Sequence, residues 1–144
     1  MQSTQALSRQ VLLFAALFAL GAAVFLPPVV AAEPTGANVT PVLTTELPNV
    51  PGKSLTAVVV RYAPGAASPP HHHAGSVLVY VLSGVIRSQV STGGPVKDYK
   101  AGETFFEPPG SDHLISANGS TNEPASLLAI FVADDGAVLT TLDK

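Results

Sequence analysis

Residues 68–84 read "SPPHHHAGSVLVYVLSG" and hold three of the four histidines of a 144-residue chain. After two prolines, a short polar run passes into "VLVYVL", a β-branched and aromatic stretch that ends at Ser-Gly. Proline cannot continue a helix and favours an extended residue before it. With residues 71–73 in extended backbone ahead of that stretch, alternate side chains share a face. His71 and His73 then look one way and His72 the other. Two imidazoles so placed can reach one metal ion at about 2.0–2.1 Å each. A third ligand has to come from elsewhere, and the one remaining histidine is His113.

The flanking sequence continues the same pattern. Short β-rich runs at residues 55–62, 77–82, 85–90, 96–100, 104–107, 113–117 and 126–132 are separated by turn signals such as "APGAASPP", "SG", "STGG", "PPGSD" and "NGSTNEP". Short runs rich in Val, Ile, Tyr and Phe with frequent turns predict an all-β sandwich or barrel. Of the chain's thirteen prolines, eleven follow residue 32, and they argue against long helices there. The tail "ADDGAVLTTLDK" is expected to form a short strand or an arm.

The first thirty residues differ in kind. Arg9 is the only charge before Glu33, and residues 11–26 are apolar, with Ala31 and Ala32 just beyond. That order predicts an export signal over 1–32, giving a periplasmic or secreted protein with no stable membrane association after cleavage. The alternative is an uncleaved N-terminal membrane anchor, against which Pro27 and Pro28 weigh. Residues 33–50 are expected to be a Pro- and Thr-rich leader with one short strand near 42–47, and residues 51–144 the barrel.

Composition removes several function classes. After cleavage, six Lys and Arg face ten Asp and Glu, so no basic patch is available for nucleic acid. Cysteine is absent, which excludes disulfides, thiolate metal sites and a thiol nucleophile. No Ser-His-Asp set is recognisable either.

The spacing of the histidines and glycines resembles the cupin family. Gly65, His71, His73 and Gly84 match the first cupin motif, and Gly102, Pro108, Gly110 and His113 match the second. Two of the ten motif positions depart: Val77 stands at the glutamate, and Ala117 at the asparagine. Asn118 comes one residue late, which on a regular strand puts it on the opposite face. The resemblance implies a single cupin-type β-barrel (double-stranded β-helix or jelly roll). It also implies a divalent transition metal (Fe, Zn, Mn, Ni or Cu) held by His71, His73 and His113, and a homodimer formed through outer sheets. Without the motif carboxylate, three neutral imidazoles leave the ion its full charge. Glu107 is a candidate additional ligand or base; the other reading is a surface carboxylate paired with Lys or Arg. Arg61, Arg87, Gln89, Tyr80, Phe105, Phe106 and Phe131 are weaker candidates for a pocket. The functional expectation is a metal-dependent enzyme, such as an oxygenase, acting on a small molecule. The alternatives are a non-catalytic metal- or ligand-binding module and a structural barrel.

Overall fold

The computed structural model describes residues 36–144. The segment expected to be an export signal lies outside these residues. The described chain is all β, and among the described residues no helix is long and apolar enough to cross a membrane.

The described residues form eleven strands in two sheets, with every pairing among them antiparallel. The first sheet has the order β1-β2-β10-β5-β8, from β1 (Asn38–Glu46), β2 (Lys53–Tyr62), β10 (Ala125–Asp134), β5 (Ser76–Ser83) and β8 (Thr104–Glu107). The second has the order β11-β4-β9-β6-β7. Its members are β11 (Thr140–Leu142), β4 (His71–His73), β9 (Asp112–Asn118), β6 (Val85–Val90) and β7 (Lys97–Lys100), and β3 (Ala67–Ser68) also pairs with β9. Two antiparallel sheets closed over one core make a jelly-roll barrel.

Alternation along each strand explains the core. Val77, Val79 and Val81 of β5 face inward, as do Leu127, Ala129 and Phe131 of β10 and Ile86 of β6. Burying each large aliphatic chain contributes about 1.5–3 kcal/mol. Gly84, between β5 and β6, has φ +70°, and a Cβ there would lie 2.6 Å from the Pro124 carbonyl oxygen. Only glycine joins these two strands at that approach.

Two sequence expectations change. The short strand expected near 42–47 within the leader is longer and starts earlier: β1 spans nine residues and pairs along β2, so the sheet begins before residue 51. Its Thr and Pro content disguised an edge strand, where proline is tolerated. The second change concerns Asn118. Pairing of β9 with β6 slips between Gln89 and Val90, so that Ile115 opposes Gln89 and His113 opposes Val90. Leu114 is the extra residue of a β-bulge, and a bulge reverses face parity beyond it. Asn118 therefore shares the inner face with His113 and Ser116. Its amide is engaged away from the histidines: Nδ2 donates to the Ala63 and Glu123 carbonyls, and Oδ1 accepts from the Ser120 amide.

Candidate metal centre

β4 lies between β9 and β11, and its three histidines alternate as extended backbone requires. His71 and His73 are buried, and His72 lies on the outer face with Nδ1 2.7 Å from Asp143 Oδ1. His71 sits directly opposite His113 in the β4–β9 ladder, which brings both rings to the same interior point. Their centroids are 5.1 Å apart, and those of His71 and His73 are 4.9 Å apart. One ring nitrogen from each of the three lies within 4.8 Å of the others.

Glu107 reaches the same point from the other sheet. β8 alternates, with Phe105 and Glu107 inward and Thr104 and Phe106 outward. "PPGSD" then carries the chain across to β9 and His113. The Gly110 amide donates to the His73 carbonyl at 2.9 Å, so this turn is fastened to β4. Glu107 is 2 % exposed, and its Oε2 lies 3.0 Å from His113 Nδ1 and 3.6 Å from His73 Nε2. The surface position paired with Lys or Arg is not what the structure shows. Strand parity next to two prolines was the obstacle to placing this residue from the sequence.

The histidine rings are oriented from behind. His71 Nδ1 is 2.7 Å from the Pro69 carbonyl, and His73 Nδ1 is 2.9 Å from the Leu139 carbonyl, with Thr140 Oγ1 at 3.2 Å. A carbonyl only accepts, so each Nδ1 carries the proton and each Nε2 keeps a free lone pair. His113 Nε2 is bonded to Ser88 Oγ at 2.8 Å. Burial lowers the His73 pKa below 6.5, although the Glu107 charge and the Leu139 carbonyl act the other way. A neutral ring is the form that ligates metal.

These groups fit a divalent cation. Glu107 Oε2 and His113 Nδ1 are buried, and despite their closeness neither has a hydrogen-bond partner. No Lys or Arg lines the cavity they face. A buried carboxylate without a cation is costly, and a metal ion among these donors would satisfy both atoms.

The remaining candidates separate cleanly. Phe131 is buried and meets His73 edge-on at 5.1 Å, and Phe105 packs against Tyr99 and His113. Tyr80 and Phe106 point outward. Arg87 is exposed and paired with Asp98 at 2.8 Å, exposed Arg61 donates to Thr40, and Gln89 bonds the Gly94 carbonyl. The supporting residues Ser88, Leu139 and Thr140 were not singled out from sequence. Ser88 carried a readable sign, a hydroxyl on the inward parity of "VIRSQV". Leu139 acts through its backbone and left no sign.

A family model described as a cupin domain matches residues 58–131, just over half of the chain. Among curated proteins, germin-like protein subfamily 2 member 2 of Arabidopsis thaliana is 36% identical over 101 residues, covering 67% of this chain and 43% of its own length. Germin-like protein 1-1 of Oryza sativa subsp. japonica is 32% identical over 103 residues, covering 69% and 47%. The chain thus spans less than half the length of these relatives. Among solved structures, an uncharacterised protein with a double-stranded β-helix domain from Klebsiella pneumoniae is 26% identical. It covers 75% of this chain and 84% of its own, with a TM-score of 0.58. Oxalate decarboxylase from Bacillus subtilis shares the fold at 24% identity and a TM-score of 0.60, covering 76% of this chain and 28% of its own.

Proposed function

This chain belongs to the cupin family, and from that premise we propose that it is a metal-dependent enzyme acting on a small organic molecule. Its metal ligands are His71, His73, His113 and Glu107. The observation that carries this reading is the convergence of buried donors from both sheets, two of them without any other partner. Three nitrogens and one carboxylate oxygen suit iron, manganese, nickel, copper or zinc over calcium and magnesium. A bound ion there supplies Lewis acidity and, for a redox metal, oxygen chemistry.

The protein side of the chemistry follows from the same residues. The Pro69 and Leu139 carbonyls keep His71 and His73 in one tautomer, and Ser88 holds His113. Glu107 lowers the net charge of the centre by one unit. Apolar side chains such as Val58, Val79, Leu127 and Phe131 line the cavity beside these donors and limit water around the reacting molecule. The chain has no cysteine and no recognisable Ser-His-Asp set, so we place oxygenation ahead of covalent side-chain catalysis.

Two further readings accompany this one. The charge and hydropathy order of residues 1–32 supports export to the periplasm or outside the cell. A row of side chains, Leu43, Ala57, Ile130, Leu78 and Phe106, crosses the outer face of all five strands of the first sheet in register. Leu43, Leu78 and Phe106 in it are exposed, which supports a homodimer through this face.

The test is metal analysis of protein expressed without a histidine tag, followed by oxygen uptake with phenols, thiols and diketones. One metal per chain with turnover supports the enzyme. Stoichiometric metal without turnover moves the reading to a non-catalytic binding module. Failure to retain metal after reconstitution overturns both.

A further inference from the structure

A cavity of about 320 Å³ opens from the metal centre, a size in the range of small-molecule sites. Val58, Val60, Val79, Leu127, Ala129 and Phe131 give its wall a broad apolar part, and none of its lining residues is Lys or Arg. A divalent ion with three neutral imidazoles and the Glu107 carboxylate carries a net charge of one. That centre balances one negative charge on a ligand. A second would be desolvated with no counter-charge.

The same cavity contains a hydroxyl cluster. Tyr62 is 2 % exposed, and its Oη lies 2.8 Å from Ser68 Oγ and 2.9 Å from Ser116 Oγ. All three residues line the cavity. Three hydroxyls have three protons, and the two contacts use two of them. When both serines donate to the phenol oxygen, the Tyr62 O–H remains for a ligand. Burial raises the Tyr62 pKa, and the Glu107 charge adds to this, so the phenol keeps its proton.

We propose that the cavity binds a largely apolar small molecule carrying at most one negative charge. One end of this ligand offers oxygen to the metal centre, and a second polar atom accepts a hydrogen bond from Tyr62. This rests on the metal-centre reading and adds the substrate class to it. The three observations that support it are independent: apolar walls, no cation in the lining, and a buried donor left over in a hydroxyl trio.

The experiment uses Co(II)-loaded full chain and calorimetric titration with four probes: benzohydroxamate, its 3-acetyl and 4-acetyl derivatives, and oxalate. The hydroxamates are singly charged chelators with an apolar ring, whereas oxalate is a dianion with no apolar body. Both unsubstituted and acetylated hydroxamates are expected to bind more tightly than oxalate. At least one acetyl derivative should gain about tenfold over benzohydroxamate, the worth of one added hydrogen bond. Tyr62→Phe should abolish that gain, so that in the variant the acetyl derivatives bind no more tightly than benzohydroxamate. In wild-type protein labelled at the tyrosine ring carbon, the Tyr62 NMR signal should shift with the acetyl derivative, a readout that needs no variant. Oxalate binding as tightly as benzohydroxamate overturns the proposal, as does a gain that survives Tyr62→Phe or is absent from both derivatives. Failure to take up Co(II) sinks the metal-centre reading and this proposal with it. Co(II) uptake with oxalate preferred sinks the proposal alone.

Discussion

Val77 on β5 and Glu107 on β8 are direct cross-strand partners. Both side chains are buried on the inner face. Opposed residues in an antiparallel pair place their Cβ atoms about 4.5–5.5 Å apart. The carboxylate missing at Val77 is thus supplied from the neighbouring strand. The loss of charge that Val77 implied on its own is reversed by its partner.

That exchange can be tested by reversing it. Glu107→Gln keeps the shape and removes the charge. Metal affinity should fall at least about 100-fold, beyond the 10–100-fold typical of losing a supporting hydrogen bond. The double variant Val77→Glu, Glu107→Gln returns the carboxylate to the other strand and should recover most of that loss. Chelator competition measures both. Equal affinity of Glu107→Gln and wild type would remove Glu107 from the ligand set.

The alternation of β4 separates its three histidines. His73→Ala should lose stoichiometric metal, and His72→Ala should retain it, since His72 faces Asp143 on the outside. Elemental analysis after dialysis distinguishes them. Equal loss from both would contradict the face assignment.

The metal-free protein should destabilise on acidification. The ordinary histidine pKa is 6.5, and burial lowers that of His73 in the fold. Below pH 6.5 the unfolded chain takes up a proton on this ring, while the folded chain resists. Stability is therefore present above pH 6.5 and falls as pH drops toward the lower folded value. Tm measured from pH 8 downward should show this decline, and His73→Gln should flatten it. An unchanged slope in the variant would assign the acid sensitivity to other groups.

Gly84→Ala should destabilise the fold with little direct effect on the donors. A left-handed backbone at a residue with a Cβ costs about 1–3 kcal/mol, and the contact with the Pro124 carbonyl adds to it. Denaturant unfolding should show a lower midpoint. A midpoint within error of wild type would mean that the β5–β6 turn relaxes freely.

Much of this architecture was legible from spacing. The turn signals divided the barrel into its strands, and the two-residue step from His71 to His73 gave their shared face, because strand parity is local. Parity failed where the ladder is irregular. The bulge at Leu114 put Asn118 on the inner face, and the prolines after Glu107 left its orientation open. In the leader only the second half of β1 was legible, because an edge strand needs little apolar content. Ser68 and Ser116 joined Tyr62 through pairings that run between distant segments, which no local pattern encodes.

The hold on His73 has a consequence for the order of synthesis. The four donors have all been translated by residue 113, but the Leu139 carbonyl that fixes the His73 tautomer comes later. β10, the strand that joins β2 to β5, is also made after them. A chain cut short before residue 139 has every donor and an incomplete frame to aim them. On the proposed metal reading, high-affinity capture would follow closure of the barrel, and released chains truncated before residue 139 should bind the ion only weakly.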